Sequence, residues 1–139
     1  MKHEYKTTSQ SQTESIGKRL AEGLTNGDSV ALFGELGSGK TAFARGILSG
    51  LGYTGVVPSP TYSVVNEYQL DRCLAVHFDM YRIDSDEALA SAGFYDYGDC
   101  SIKIIEWCDR IPWVPDNRFI KVFIKGVGEV PRTITVERN

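Results

Sequence analysis

The eight residues Gly34-Glu35-Leu36-Gly37-Ser38-Gly39-Lys40-Thr41 constrain this chain more than any other feature. They satisfy G-x-x-x-x-G-K-[ST], the Walker A spacing. Before them, Ser29-Val30-Ala31-Leu32-Phe33 is apolar without alternation, as in a strand covered on both faces. After them, Phe43, Ala44, Ile47, Leu48 and Leu51 recur at helical spacing, and Gly52 supplies a stop. A strand, a tight glycine loop and a helix are the placement this spacing needs. The helix N-terminus aims backbone N–H groups at an anion, and glycine at 34, 37 and 39 removes the Cβ atoms that would hold the backbone away from it. The candidate nucleotide site therefore runs from Gly34 through Glu35, Leu36, Gly37, Ser38, Gly39, Lys40 and Thr41 to Ala42. Lys40 is expected to reach the β- and γ-phosphates as a mobile point charge, and the Thr41 hydroxyl is placed to ligate Mg²⁺. A glycine turn with no ligand has no use for the adjacent Lys and Thr.

Such a loop also needs an acidic group at the end of a neighbouring strand to hold the metal or its water. Asp79 follows Leu74-Ala75-Val76-His77-Phe78, and Glu106 follows Ile102-Lys103-Ile104-Ile105. Each stands where a buried strand emerges, so either is a candidate. His77, alone inside a strand, reads as a packed or hydrogen-bonded core residue rather than a catalytic base. Trp107 and Trp113, with Tyr95 and Tyr97, have the character to stack a base or seat a partner, although aromatics near sheet edges are usually core.

The rest of the chain supplies a single domain, residues 1–139, with no repeat or low-complexity run. Residues 3–8 suggest an edge strand. Ser11 and Glu14 have capping-box spacing ahead of a helix with Ile16, Leu20, Ala21 and Leu24 on one face, expected to stop at Asn26-Gly27. Residues 61–70 alternate and turn at Asp71-Arg72 into the strand ending at Phe78, which reads as an antiparallel hairpin. Ser85 caps an expected helix over 84–92, and runs at 119–124 and 133–136 suggest antiparallel additions to the sheet. The fold class is α/β: three layers, with helices flanking a mixed parallel and antiparallel sheet, as in P-loop nucleoside triphosphate hydrolases.

A net charge of −3 argues against a protein that wraps nucleic acid, which needs clustered positive charge. The first six residues lack the apolar segment of a secretory signal, and no run approaches the roughly 18 apolar residues of a membrane span, so the expected compartment is the cytoplasm. Cys73, Cys100 and Cys108 fit neither a disulfide framework nor a zinc ladder and read as reduced, mostly buried thiols.

Read in order, the Walker A loop, Ser59-Pro60-Thr61-Tyr62, His77-Phe78-Asp79-Met80-Tyr81-Arg82 and Ile104-Ile105-Glu106-Trp107 closely resemble the TsaE (YjeE) family. The resemblance extends from the first helix to about residue 136. It implies a bacterial ATPase that binds ATP and Mg²⁺ and works with TsaD and TsaB in threonylcarbamoyladenosine modification of tRNA at adenosine 37. In that family hydrolysis is weak alone and coupled to the TsaD–TsaB complex, and tRNA is met only through the complex. By position, the resemblance implies that Lys40 and Thr41 hold phosphate and Mg²⁺, that Glu106 is a metal-shell ligand, and that Asp79 serves hydrolysis. Ser59–Tyr62 resembles a switch-like loop whose Thr61 hydroxyl senses the γ-phosphate, with Pro60 limiting its conformations. Arg132 stands where relatives often carry an Arg before the last strand, although Pro131 replaces their usual Gly. Two other readings use the same cradle: a nucleotide-gated assembly module with incidental hydrolysis, and a small-molecule kinase. The kinase is disfavoured because the arginines from Arg72 to Arg118 are widely spaced, unlike those of a phosphoryl-sheathing lid.

Overall fold

The computed structural model describes residues 2–57, 65–97, 100–107 and 118–138. Seven strands, β1 (Lys2–Thr7), β2 (Ser29–Phe33), β3 (Val65–Gln69), β4 (Leu74–Asp79), β5 (Ser101–Glu106), β6 (Phe119–Lys125) and β7 (Arg132–Arg138), form one sheet in the order β1-β7-β6-β2-β5-β4-β3. Helices α1 (Gln10–Ala21) and α2 (Lys40–Gly50) lie on one face, and α3 (Asp86–Ser91) with a 3-10 turn at Phe94–Asp96 packs on the other. The three-layer mixed architecture is therefore as expected. Strands β6, β2, β5 and β4 run parallel, and β1, β7 and β3 join antiparallel at the two sides.

The alternation of side chains divides the core. Val30, Leu32, Ile104 and Val122 face α1 and α2, while Ala31, Val76, Phe78 and Ile105 face α3 and the 3-10 turn. Strand β2 is buried on both faces, which explains its unbroken apolar run. Helix α2, at 11 residues, is shorter than the roughly 12–15 that an isolated helix needs, so it depends on the burial of Phe43, Ile47 and Leu48. Its close approach to α1 is made by glycine: a Cβ at Gly46 would run into the Glu14 carbonyl, and one at Gly50 would lie 2.6 Å from Ala21 Cβ and 2.7 Å from the Lys18 oxygen.

Three local readings need correction. Helix α1 is capped by Ser9, whose Oγ accepts from Gln12 N at 3.1 Å while Gln12 Oε1 accepts from Thr8 N at 2.6 Å; Ser11 and Glu14 lie inside the helix. Both pairs have box spacing, and the earlier one lets buried Thr13 meet Thr7 at 2.9 Å on the end of β1. The helix stops at Ala21, before Asn26-Gly27, because Asp28 draws the following segment into a turn by accepting from Thr25 N at 2.8 Å. Strand β6 is a parallel neighbour of β2, not an antiparallel addition; only β7 is antiparallel there. The hairpin and the helix capped by Ser85 are present, the latter over Asp86–Ser91, and residues 61–64 of the expected first hairpin strand lie outside the described residues. Among the described residues no helix is long and apolar enough to cross a membrane.

Arg118, just before β6, ties down the turn ahead of β2. Its Nε donates to Asp28 Oδ1 at 2.9 Å, and its Nη2 donates to Asp28 Oδ2 and to the Gly23 oxygen. Burial pushes the Asp28 carboxyl up, but Arg118 and the Thr25 N–H outweigh it and leave it below the ordinary range. Unfolded Asp28 therefore takes up its proton before folded Asp28 does. The stabilisation is complete above the ordinary aspartate range and is lost as pH falls through the folded value.

Urea unfolding at about pH 7 and about pH 3 is expected to show a larger acid-induced loss in wild type than in Arg118→Ala. In the same assay at neutral pH, Gly46→Ala is expected to cost about 1–3 kcal/mol by forcing α1 and α2 apart; an unchanged midpoint would contradict the close approach of the helices.

Candidate functional site

The loop from Gly34 to Gly39 leaves the carboxyl end of β2 and turns into α2. Gly37 and Gly39 have φ of 82° and 110°, a region open to glycine at little cost. A Cβ on Gly34 would fall 2.5 Å from Ser38 Oγ and 2.6 Å from the Ile124 oxygen, so the loop can lie against β6 only with glycine there. Ser38 N donates to the Glu35 oxygen at 3.0 Å, and Phe43 N donates to that of Gly39 at 2.9 Å, closing the first helical bond. The N–H groups ahead of Phe43 have no acceptor within the helix and carry the positive end of its dipole.

Lys40 is 95% buried, and its ammonium lies in the mouth of the loop. Nζ donates to the Gly34 oxygen at 2.6 Å and to the Glu35 oxygen at 2.9 Å, and it stands 4.1 Å from the centre of the Trp107 ring. Trp107 is the one non-glycine residue with positive φ among the described residues, at 61°. That conformation costs about 1–2 kcal/mol and aims the indole across the lysine rather than along the strand. Tyr81 supports it, with ring centres 5.0 Å apart. Of the aromatic quartet, Tyr97 packs on the α3 side of the core, exposed Tyr95 donates to Asp86 Oδ1 at 2.7 Å, and Trp113 lies outside the described residues.

Asp79 and Glu106 come together because β4 and β5 are parallel and in register, with Asp79 opposite Glu106. Glu106 is 4% exposed and is met from two sides. Thr41 Oγ1 lies 3.4 and 3.5 Å from its two oxygens, at the far end of hydrogen-bond range, and His77 Nε2 lies 2.6 Å from Oε2. An ionised carboxylate can only accept, so beside one His77 Nε2 is the donor. His77 is thus the hydrogen-bonded core residue expected, but its partner is the acidic group of the site. The signal that could have found it is the H-x-D spacing, which puts His77 and Asp79 on one face of a strand. Asp79 is half-buried: burial raises its carboxyl above the ordinary value, the Tyr81 N–H at 3.0 Å opposes this, and neighbouring Glu106 raises it further.

Arg132 lies at the loop, but as a clamp. Its Nε donates to the Ser38 oxygen at 3.0 Å, its Nη1 to Val130 at 2.6 Å, and its Nη2 to Gly128 at 3.1 Å and Gly37 at 3.4 Å. Thr61, with the rest of Ser59–Tyr62, lies outside the described residues. Residues 36–39 of the loop, Lys40, Thr41, Asp79, Glu106, Trp107 and Arg132 all line one cavity of about 580 Å³, whose further wall is made by Thr8, Ser9 and Gln10 at the start of α1. That wall was not anticipated, because it depends on the α1–α2 packing.

These donors fit a phosphate bound with Mg²⁺. A hydroxyl and two carboxylates are hard oxygen ligands at the helix N-terminus, and buried Ser38 Oγ has no partner among the described residues. No cluster of three or more His, Cys, Asp or Glu forms a ready-made cage among those residues. Mg²⁺ needs none, since it is held through one or two carboxylates with phosphate and water supplying the rest.

A glycine cradle between a buried parallel strand and a helix, on a three-layer mixed sheet, defines an α/β protein of the P-loop nucleoside triphosphate hydrolase fold. The family model described as threonylcarbamoyl adenosine biosynthesis protein TsaE matches residues 7–134, and the chain belongs to this family. It is 31% identical over 131 residues to the tRNA threonylcarbamoyladenosine biosynthesis protein TsaE of Bacillus subtilis, covering 94% of this chain and 82% of that one. It is 42% identical over 101 residues to the Haemophilus influenzae protein of the same name, covering 68% of this chain and 64% of that one. The crystal structure of Bacillus subtilis YdiB matches the fold with a TM-score of 0.78 at 28% identity, covering 98% of this chain and 84% of that one.

Replacing Arg132 with Gln is expected to raise amide hydrogen exchange across residues 34–39 while leaving the core strands protected; exchange unchanged in that loop would rule out the clamp.

Proposed function

We propose that this chain binds ATP with Mg²⁺ in the cradle and hydrolyses it in support of threonylcarbamoyladenosine modification of tRNA at adenosine 37, in complex with TsaD and TsaB. The observation that carries the reading is the convergence of Lys40, Thr41, Glu106 and Asp79 on one cavity at the mouth of the glycine loop. Membership of a family of tRNA threonylcarbamoyladenosine biosynthesis supports the pathway.

In this reading the amides of residues 37–42 hold the β-phosphate, and Lys40 exchanges the Gly34 and Glu35 oxygens for phosphate oxygens. Thr41 and Glu106 would hold the metal, and His77 fixes the Glu106 carboxylate by donating to it. Mg²⁺, when bound, would supply positive charge to neutralise the phosphates. Asp79, whose carboxyl is raised by burial, orients the attacking water and accepts its proton as the water oxygen bonds to the γ-phosphorus and the β–γ bridge breaks. Little in this set sheathes the transferring phosphoryl, which accords with slow turnover until a partner contributes.

Calorimetric titration with Mg-ATP is expected to show binding by wild type and at least about a tenfold loss in Lys40→Ala. Asp79→Asn and Glu106→Gln are expected to lower turnover in the presence of TsaD and TsaB about a hundredfold while leaving ATP binding largely intact. His77→Ala is expected to act in the same direction with a smaller loss. Full tRNA modification by both carboxylate variants would favour the nucleotide-gated module, and a phosphorylated metabolite would favour the kinase. Turnover indifferent to TsaD and TsaB would remove the coupling.

A further inference from the structure

At the end of the sheet opposite the cradle, a second cavity of about 510 Å³ is lined by Cys73 and Cys100 together with Asp71, Arg72 and Asp96. Both thiols are free, Cys73 half-buried and Cys100 exposed. Cys73 immediately precedes β4 and Cys100 immediately precedes β5, and the first residues of these parallel strands, Leu74 and Ser101, are register partners. Carried back by one residue, the register sets Cys73 beside Cys100. Neighbouring strands lie about 4.7–4.9 Å apart, and that spacing continued one residue beyond the strand ends would put the two Cα atoms about 5 Å apart, within the range of about 4.4–6.8 Å that a disulfide spans.

The pleat puts both side chains on the same face. Ala75 and Ile102 are buried register partners two residues further on, Ala75 in the core under α1 and α2, and residues two apart on a strand share a face. Both flanks are anchored: the Cys73 oxygen accepts from Leu70 N at 2.9 Å, and the Ser101 oxygen accepts from Gly27 N at 2.9 Å. Among the described residues no third His, Cys, Asp or Glu joins the pair in a metal-binding group, so the dithiol is suited to oxidation rather than to a metal cage.

We propose that Cys73 and Cys100 form a reversible disulfide when the protein meets a peroxide, a modification site separate from the nucleotide cavity. Exposed Cys100 reacts first: its thiolate sulfur attacks one oxygen of hydrogen peroxide, the O–O bond breaks, and Cys100 becomes a sulfenic acid as hydroxide leaves. The Cys73 thiolate then attacks the Cys100 sulfur, the S–S bond forms, and the sulfenic oxygen departs as hydroxide. Including the protons lost by the two thiols, two thiols and one peroxide give one disulfide and two waters. Burial raises the Cys73 thiol above its ordinary value, so its thiolate fraction, and with it the second step, grows with rising pH.

The test is peptide mass spectrometry on the full chain, treated with a small excess of hydrogen peroxide and then alkylated without reduction. The expected result is a peptide pair joined through Cys73 and Cys100, lighter by two hydrogens than its separate parts and released by dithiothreitol. Cys108→Ser is expected to keep the bond. Cys73→Ser is expected to leave a sulfenic acid at Cys100 that dimedone traps. A bond involving Cys108, a bond between two copies of the chain, or Cys73 fully alkylated beside an oxidised Cys100 would each overturn the proposal.

Discussion

Glu106 is a carboxylate withdrawn almost completely from water, and a group of that kind persists only when the protein replaces its hydration. His77 on β4 replaces most of it with a short hydrogen bond, and Thr41 on α2 approaches from the other side. Three elements distant in sequence thereby meet at one acidic group. Parallel pairing of β4 with β5 brings His77 and Asp79 alongside it, and packing of α2 on β2 brings Thr41. The acidic group can be buried because the sheet is in this register, and the register in turn gives the glycine loop something to face.

The same geometry explains the path of the chain. A phosphate cradle needs strand ends that point the same way, and β6, β2, β5 and β4 provide them. The antiparallel strands at the two sides do other work. β7 carries the Arg132 clamp, β1 anchors the start of α1 through Thr7 and Thr13, and β3 covers the outer side of β4.

Much of this was legible in the sequence because it is local. Strand β2, the loop and helix α2 are contiguous, and their apolar spacing and glycines name them almost to the residue. Ser85 was readable as a cap for the same reason. The first helix was less so, because Ser9 with Gln12 and Ser11 with Glu14 carry equal spacing signals, and the contact of Thr13 with β1 decides between them. The parallel placement of β6 was not legible, since an alternating run shows which face is apolar but not which neighbour it joins. At the site, Asp79 and Glu106 were recognisable as strand-end carboxylates. The hydrogen bond of His77, the indole over Lys40 and the wall at Thr8–Gln10 come from pairings across the fold that no short spacing encodes.

Arg132 holds the Ser38 carbonyl from 94 residues further along the chain. A ribosome therefore finishes the glycine loop well before it makes the side chain that braces it, and the nascent protein carries the loop without that brace while the residues between are made. Shape in an early segment is conferred by a later one, so a product truncated before Arg132 would retain every loop residue and still lack this contact.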